Sequence, residues 1–511
     1  MTSPENPQKI TRRRFLQIAG GTTFLALVAS ENGGFSLPTT NAKNANSQPI
    51  FSALPYIQPG DNSRLIEGKG SLVVAWQTDD VAARYEVVFG ADESYGRAAT
   101  IIRAPRTVGD RGAKGLNYHA TLGGLKLQTR YVYRVKCNGQ IVMKGFFTTR
   151  KKRGSGTRFV AFGDNSFGGT SDHRIAYQAY RARPDFVMNT GDNVYDAGLN
   201  SEYARHFFPV YNSPKIGPEV GAPLLRSVPF YTVIANHDIP HRDANGRPIV
   251  DFDKDPDALA YFTAMHLPQN GPQFLAHPTR TQGKSHKTEF LNCAGNRFPR
   301  MANYSFDYGD AHFLCLDSNV YVDPTNAALQ RFIEHDLTST NAIWKFVVWH
   351  HPSFNVGDEH YVQQHMRALS PLLERCRVDF VLHGHEHNYQ RTRPLHFAPT
   401  NLEKARLVGE RDRRTPGHFR VDRAFDGRRV TRANGIIYIV TGAGGNNLYD
   451  PEINDNPRNW KRADDGNVEY VARAVSDRHS LSVFEMKGRK LIMKQVDEWG
   501  KTIDQIVVTK A

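Results

Sequence analysis

The sequence predicts an α/β domain preceded by a smaller all-β domain, and two observations predict it. Between residues 158 and 387 five short apolar runs, "RFVAFGD", "DFVMNTGD", "VPFYTVIANHD", "WKFVVWHH" and "VDFVLHGHEH", are separated by helix-like or irregular stretches. Apolar strands alternating with helices indicate an α/β sheet. Between residues 52 and 149 the chain instead reads as short β-branched and aromatic runs ("SLVVAWQT", "RYEVVFG", "NYHATLGGL", "RYVYRVKCNG", "KGFFTT"). Glycine and polar clusters punctuate them roughly every ten residues, the pattern of a β-sandwich.

The elements follow in order. "TRRRFLQIAGGTTFLALVAS", Thr11 to Ser30, has a basic start, a mild apolar stretch and small residues after it. It is too short and too glycine-containing for a comfortable membrane span. Arg12, Arg13 and the following Arg14-Phe15-Leu16 resemble a twin-arginine export signal. Residues 1–48 are therefore read as signal and spacer, with export to the periplasm or exterior expected and membrane contact only during export. Residues 49–150 are the predicted sandwich, and "KKRGSGT" (Lys151 to Thr157) reads as a flexible boundary. The α/β domain is placed at 157–475, and 476–511 closes the chain with the hairpin "SLSVFEMKGRKLIMKQVD". "NYSFDYGDAHFLCLDSN" (Asn303 to Asn319) reads as two antiparallel strands around a Tyr-Gly-Asp turn. Two stretches, about 239–302 and the arginine-rich 391–433, lack clear periodicity and read as surface insertions, with a rim over the site as the alternative for the second.

Bulk properties narrow the function. The net charge of +14 and pI near 9.5 suit either an anionic substrate or a merely soluble basic protein. No compact lysine and arginine run with interleaved aromatics appears in the body of the chain, so no dedicated nucleic-acid binding is expected. Cys137, Cys293, Cys315 and Cys376 are widely spread without a C-x-x-C, which argues against a disulfide scaffold or zinc knuckle and leaves one incidental bridge open. Oligomeric state is not legible.

The chemistry lies at the ends of the five runs: Asp164; Asp192 with Tyr195; Asn236 with His237; His350 and His351; His383, His385 and His387. Sites in α/β sheets form at the carboxyl ends of strands. Singly, each residue is weak, since an aspartate after a strand often caps a helix. Together they supply oxygen and imidazole donors without thiolate, a set suited to iron, zinc or manganese.

In this order the motifs resemble the metallophosphoesterases and, more narrowly, the purple acid phosphatases. The carriers are Gly163-Asp164-Asn165-Ser166, Gly191-Asp192-Asn193-Val194-Tyr195, Ala235-Asn236-His237-Asp238, Val347-Val348-Trp349-His350 and Gly384-His385-Glu386-His387. "LPYIQPG", "HATLGGLKLQTRYVYRV" and "FFTTR" similarly resemble a fibronectin type III-like domain. The resemblance implies a four-layer α/β/β/α sandwich. It also implies a dinuclear centre: Fe(III) held by Asp164, Asp192, Tyr195 and His387, and a divalent iron, zinc or manganese held by Asp192 as bridge with Asn236, His350 and His385. A nearby histidine can donate a proton to the leaving alkoxide, with His237 the first candidate, His360 the second and His365 a further one. His351 and His383 are read as supporting residues and Asp196 as a turn acid, while the helical spacing of His365 favours a surface position over a donor role. Ser166 and Ala235 stand where the family usually has glycine, and both restrict the backbone beside a ligand.

Three functions follow as expectations. The first is an exported phosphatase hydrolysing small-molecule phosphomonoesters with metal-activated water. The second is a dinuclear manganese or zinc phosphodiesterase or nuclease of the broader superfamily. The third is a non-catalytic surface module, which the complete ligand set disfavours. The broader superfamily usually opens Asp-x-His; position 166 is serine here, so Tyr195 is the expected replacement ligand and points to iron.

Overall fold

The computed structural model describes residues 48–107, 113–242, 248–272, 280–460, 465 and 469–511. The expected twin-arginine segment lies outside the described residues. No helix among the described residues is long and apolar enough to cross a membrane.

Eight strands build the first domain: β1 (Phe51–Gln58), β2 (Gly70–Asp79), β3 (Tyr85–Gly90), β4 (Arg97–Ala99), β5 (Ile101–Thr107), β6 (Lys114–Leu125), β7 (Arg130–Cys137) and β8 (Gln140–Thr148). They form two sheets, β1-β2-β6-β5 and β4-β3-β7-β8. Alternate residues of both point inward, as pleated strands require, and pack a core around Trp76, Tyr118, Tyr133 and Phe147. This is the small sandwich that the punctuated runs predicted.

The second domain places two sheets face to face. The first contains β9 (Thr157–Phe162), β10 (Phe186–Asn189) and β11 (Phe230–Thr232), all parallel. A small sheet of β12 (His241–Arg242), β13 (Pro248–Asp251) and β14 (Arg280–Gln282) lies in the 239–302 stretch. The second large sheet is built from β15 (Tyr304–Tyr308), β16 (Ala311–Cys315), β17 (Trp344–Val348), β18 (Phe380–His383), β19 (Tyr389–Thr392), β22 (Ile437–Thr441) and β23 (Val471–Val475). Its order is β15-β16-β17-β18-β22-β19-β23. A side hairpin pairs β20 (Leu395–Pro399) with β21 (Gly417–Val421). The last strands, β24 (Ser480–Lys487), β25 (Lys490–Asp497) and β26 (Thr502–Thr509), continue the first sheet through β24 beside β9.

Aromatic rings fill the space between the large sheets. Phe159 of β9 meets Phe313 of β16 and Phe346 of β17 edge-on at 5.2 and 5.3 Å. The helix Thr170–Arg181 buries Ile175, Ala176 and Ala179 against this inner core. Leu329, Ile333 and Leu337 of the helix Ala327–Thr338 join a separate outer core. The layers are therefore α/β/β/α.

Three expectations are corrected. The 151–157 boundary is not loose: Gly154 N–H donates to Asp310 Oδ1 at 2.7 Å, and Lys151 and Arg153 pair with Asp185 and Asp307. The described parts of the 239–302 stretch form a bridge to the sandwich rather than a surface insertion. Tyr56 donates to the Ala264 carbonyl at 2.6 Å, and buried Arg106 reaches the Pro256 carbonyl at 2.9 Å. Residues 391–433 are largely exposed beyond β20, as a surface insertion would be, but the rim alternative fails for two arginines: Arg391 pairs with Asp504, and buried Arg413 caps the Val320 and Val322 carbonyls. All four cysteines are buried and unbridged.

One ionic triad ties the second large sheet to a helix. His312 of β16 contacts Asp307 of β15 and Asp336 of the helix Ala327–Thr338, each at 2.8 Å. Burial opposes the charge, but the two carboxylates outweigh it and push the imidazole up to about 9. A folded-state value above the ordinary one means the stabilisation is complete below about pH 6.5 and lost as pH rises through about 9. His312→Gln is expected to lower unfolding free energy on the order of 2 kcal/mol at pH 6. Denaturant titrations should find that gap closed by pH 10; an equal gap at both pH values would refute the charged triad.

Candidate metal centre

Each motif residue sits where a strand stops. Asp164 follows β9, Asp192 and Tyr195 follow β10, Asn236 and His237 follow β11, His350 and His351 follow β17, and His385 and His387 follow β18. The parallel direction of β9 with β10 and β11, and of β17 with β18, brings each set of loops to one end of its sheet.

The structure brings the predicted residues together in two groups that share Asp192. One donor atom from each of Asp192, His350 and His385 lies within 4.8 Å of the others. His350 Nε2 is 3.2 Å from Asp192 Oδ2 and 3.9 Å from Asp164 Oδ1. The Tyr195 hydroxyl lies 3.3 Å from Asp192 Oδ2, 3.5 Å from Asp164 Oδ1 and 3.3 Å from His387 Nε2. His387 Nε2 is also 3.5 Å from Asp164 Oδ1. Asn236 joins through its neighbour, since the His237 backbone N–H donates to Asp192 Oδ1 at 3.0 Å.

Backbone carbonyls aim the imidazoles. His350 Nδ1 meets the Thr190 carbonyl at 2.9 Å and His387 Nδ1 the Asn447 carbonyl at 2.6 Å, which turns both Nε2 atoms inward. His351 turns away, with Nδ1 on Ser318 Oγ at 2.9 Å and its ring 4.3 Å from His385. His383 ends β18 as a buried strand residue near Trp349 and Tyr438. Asp196 is exposed and contributes its carbonyl to His237 Nδ1 at 2.8 Å. His365, expected on the surface, is fully buried, with Nε2 on the Ser318 carbonyl at 2.7 Å. It supports the loop beneath His351 rather than facing solvent.

The backbone is strained at the centre. Asp164, Ser166, Asp192 and His385 all adopt left-handed conformations, φ 58, 62, 49 and 68°. Each non-glycine residue held there costs on the order of 1–3 kcal/mol and persists where surroundings dictate it. The Asp164 carboxylate accepts the His385 N–H at 2.9 Å, and the buried Asp172 carboxylate accepts that of Ser166 at 2.8 Å. Ser166 thus holds a glycine-like turn, whereas Ala235 is extended and unstrained. Gly384 admits Asp164: a Cβ there would lie 2.5 Å from Oδ2 and 2.9 Å from His350 Nδ1.

The electrostatics ask for cations. Burial pushes Asp164 well above the usual carboxylate range, with Asp192 adding to the push. Burial opposes ionisation of Asp192 too, but the His350 imidazolium outweighs it and holds Asp192 low. Burial lowers His350, yet Asp192 and Asp164 raise it to about 9. Burial and then the two carboxylates drive the Tyr195 phenol well above its ordinary value, so the chain alone does not ionise it. The Nε2 of His385 and the Oδ1 of Asn236 are buried without hydrogen-bond partners. Orphaned buried donors beside two carboxylates fit a metal pair and have no other evident use.

Sequence reasoning missed the loop after β22. Its Asn446 N–H donates to the Asp164 carbonyl at 3.0 Å, its Asn447 carbonyl holds His387, and its Tyr449 ring stacks on His387 at 3.9 Å. The signal was present: "GIIYIVTGAGGNN" is another apolar run ending in a polar loop.

Comparison with known proteins agrees with this geometry. The calcineurin-like phosphoesterase family model matches residues 157–389. Purple acid phosphatase 17 of Arabidopsis thaliana is 26% identical over 268 residues, 50% of this chain and 69% of the relative. An uncharacterised Mycobacterium tuberculosis protein, Rv2577, is 24% identical over 490 residues, 86% of this chain and 79% of the relative. The structure of purple acid phosphatase PPD1 from yellow lupin (Lupinus luteus) seeds superposes with a TM-score of 0.58 at 16% identity, covering 89% of this chain and 74% of that one, which speaks to fold alone. Residues 157–389 are thus a calcineurin-like phosphoesterase domain, and the chain is a phosphoester hydrolase of the metallophosphoesterase fold with purple acid phosphatases among its homologues.

Proposed function

We propose that the chain is an exported phosphatase that hydrolyses phosphomonoesters at a dinuclear centre of ferric iron and a divalent iron, zinc or manganese. The observation that carries the reading is the Tyr195 hydroxyl, 3.3–3.5 Å from Asp164, Asp192 and His387 where an Asp-x-His motif would have offered an imidazole. Asp164, Tyr195 and His387 would hold the ferric ion, Asn236, His350 and His385 the divalent one, and Asp192 both. When bound, such a pair acidifies water and withdraws charge from phosphoryl oxygens.

The chain's own residues would do the rest. The Asp196 carbonyl accepts from His237 Nδ1 and orients the ring, so that the doubly protonated imidazolium would hand its Nε2 proton to the leaving oxygen. His360 is less suited, because its face is stacked on His385 at 3.8 Å and Gln363 occupies its Nδ1. Burial and the neighbouring His387 also push it down to about 3, so its ring is neutral at mild pH.

Metal analysis and a panel of phosphomonoesters and diesters test the reading. Two metals per chain, one of them iron, with faster monoester turnover is expected. An active protein containing only manganese or zinc and preferring diesters would replace it. Export through Arg12 and Arg13 is tested by fractionating cells: substitution of both by lysine should retain the protein inside, and unchanged export would exclude the route.

A further inference from the structure

We infer that Phe167 is a stacking platform that selects phosphoesters carrying a flat aromatic group, of which nucleoside 5′-monophosphates are the fitting class; this rests on the phosphatase reading above. Phe167 follows the strained Ser166, and its ring meets the Tyr195 ring edge-on at 5.8 Å. The side chain is nonetheless 44% exposed. Scattered exposed apolar residues are ordinary on a protein surface. This one differs in being held rigidly beside the reacting centre.

The rigidity has a visible source. The Asp172 carboxylate accepts N–H groups on both sides of Phe167: Ser166 at 2.8 Å, Gly168 at 2.8 Å and Gly169 at 3.1 Å. Gly168 takes φ 96°, and a Cβ there would come 2.8 Å from His206 Nδ1, so the turn is also braced from below. A buried carboxylate thus fixes a turn whose middle residue leaves a phenyl face in solvent. Pre-organised aromatic surface binds a π-face at low entropic cost.

The distances suit a spacer between phosphate and ring. The Tyr195 hydroxyl is among the metal-ligand candidates, and the Phe167 ring stands one aromatic contact beyond the Tyr195 ring. A nucleoside 5′-monophosphate carries its planar base on a ribose spacer, so its phosphate can sit at the donor cluster while its base stacks on Phe167. Tyr449, stacked on His387 and 5.7 Å from the His360 ring, continues the aromatic lining.

The test compares adenosine 5′-monophosphate with ribose 5-phosphate, which share a leaving alkoxide and differ in the base. kcat/KM and equilibrium affinity are measured for both with the full-length, metal-loaded protein. In Phe167→Ala the preference for the nucleotide should fall about tenfold, the scale of one base–aromatic stack, with ribose 5-phosphate little changed. Phe167→Trp should restore the preference. A nucleotide preference that stays within twofold in Phe167→Ala, in both turnover and affinity, would overturn the platform. If neither compound is hydrolysed but the affinity ratio still falls tenfold, the platform stands and the phosphatase reading is what fails.

Discussion

Replacing Asp192 by alanine is expected to lower kcat/KM for phosphoesters by roughly 10³-fold or more, the scale on which removal of a key electrostatic group acts. Asp192 belongs to both donor groups: Oδ2 lies 3.2 Å from His350 Nε2 and 3.3 Å from the Tyr195 hydroxyl, and Oδ1 accepts the His237 N–H. Asp164 also faces both groups, but its approach to His350 Nε2 is longer, 3.9 Å against 3.2 Å for Asp192. Its loss should empty both metal positions together, so metal per chain should fall along with rate. The fold should survive, because the Asp192 charge raises the cost of the buried Asp164 carboxylate in the metal-free chain and its removal relieves that cost. Circular dichroism unchanged from the parent, with metal and activity gone, is the expected combination. Full hydrolysis by Asp192→Ala would remove the site assignment altogether.

Tyr195→Phe should leave a folded protein that has lost its visible absorption band and about 10- to 100-fold in kcat, within the range of single positioned catalytic groups. The substitution deletes one oxygen and keeps the ring packed against His237 at 4.5 Å and Phe167 at 5.8 Å. The colour argument follows from electrostatics. Burial and two carboxylates keep the phenol protonated in the chain alone, so only a highly charged cation placed among them turns it into a phenolate ligand. A ferric ion with a phenolate absorbs visible light; a zinc or manganese(II) pair does not. A parent protein that is colourless, iron-free and fully active would overturn the iron assignment while leaving the metallophosphoesterase fold untouched.

Much of this was legible before the structure because it is local. A strand that ends in Asp, Asn or His announces itself in a handful of consecutive residues, and β9, β10, β11, β17 and β18 all do so. The β22 loop follows the same rule but supports the site largely through its backbone, the Asn446 N–H and the Asn447 carbonyl, which no residue type advertises. His365 failed for a different reason. Helical spacing suggests exposure, but the short 3₁₀ turn His365–Leu369 is buried throughout, and the partner of His365 lies 47 positions away. The arginines at 391 and 413 look like a charged rim in one dimension. Their carboxylate and carbonyl partners, Asp504 and Val320, come from distant chain segments that folding delivers.

The sequence by itself determined which residue types end the strands and in what order, with serine at position 166 and tyrosine at position 195. Those are properties of short motifs, and strand periodicity alone places them at sheet ends. Only the tertiary structure decided which donors share a point in space. It turned His350 inward and His351 toward Ser318, placed Asp192 between two groups, and left the Phe167 ring uncovered beside them. The physical reason is that these outcomes depend on hydrogen bonds and close approaches between residues far apart in the chain. The contact of His385 with Asp164 spans 221 positions, and its geometry is dictated by the packing of two sheets rather than by any motif.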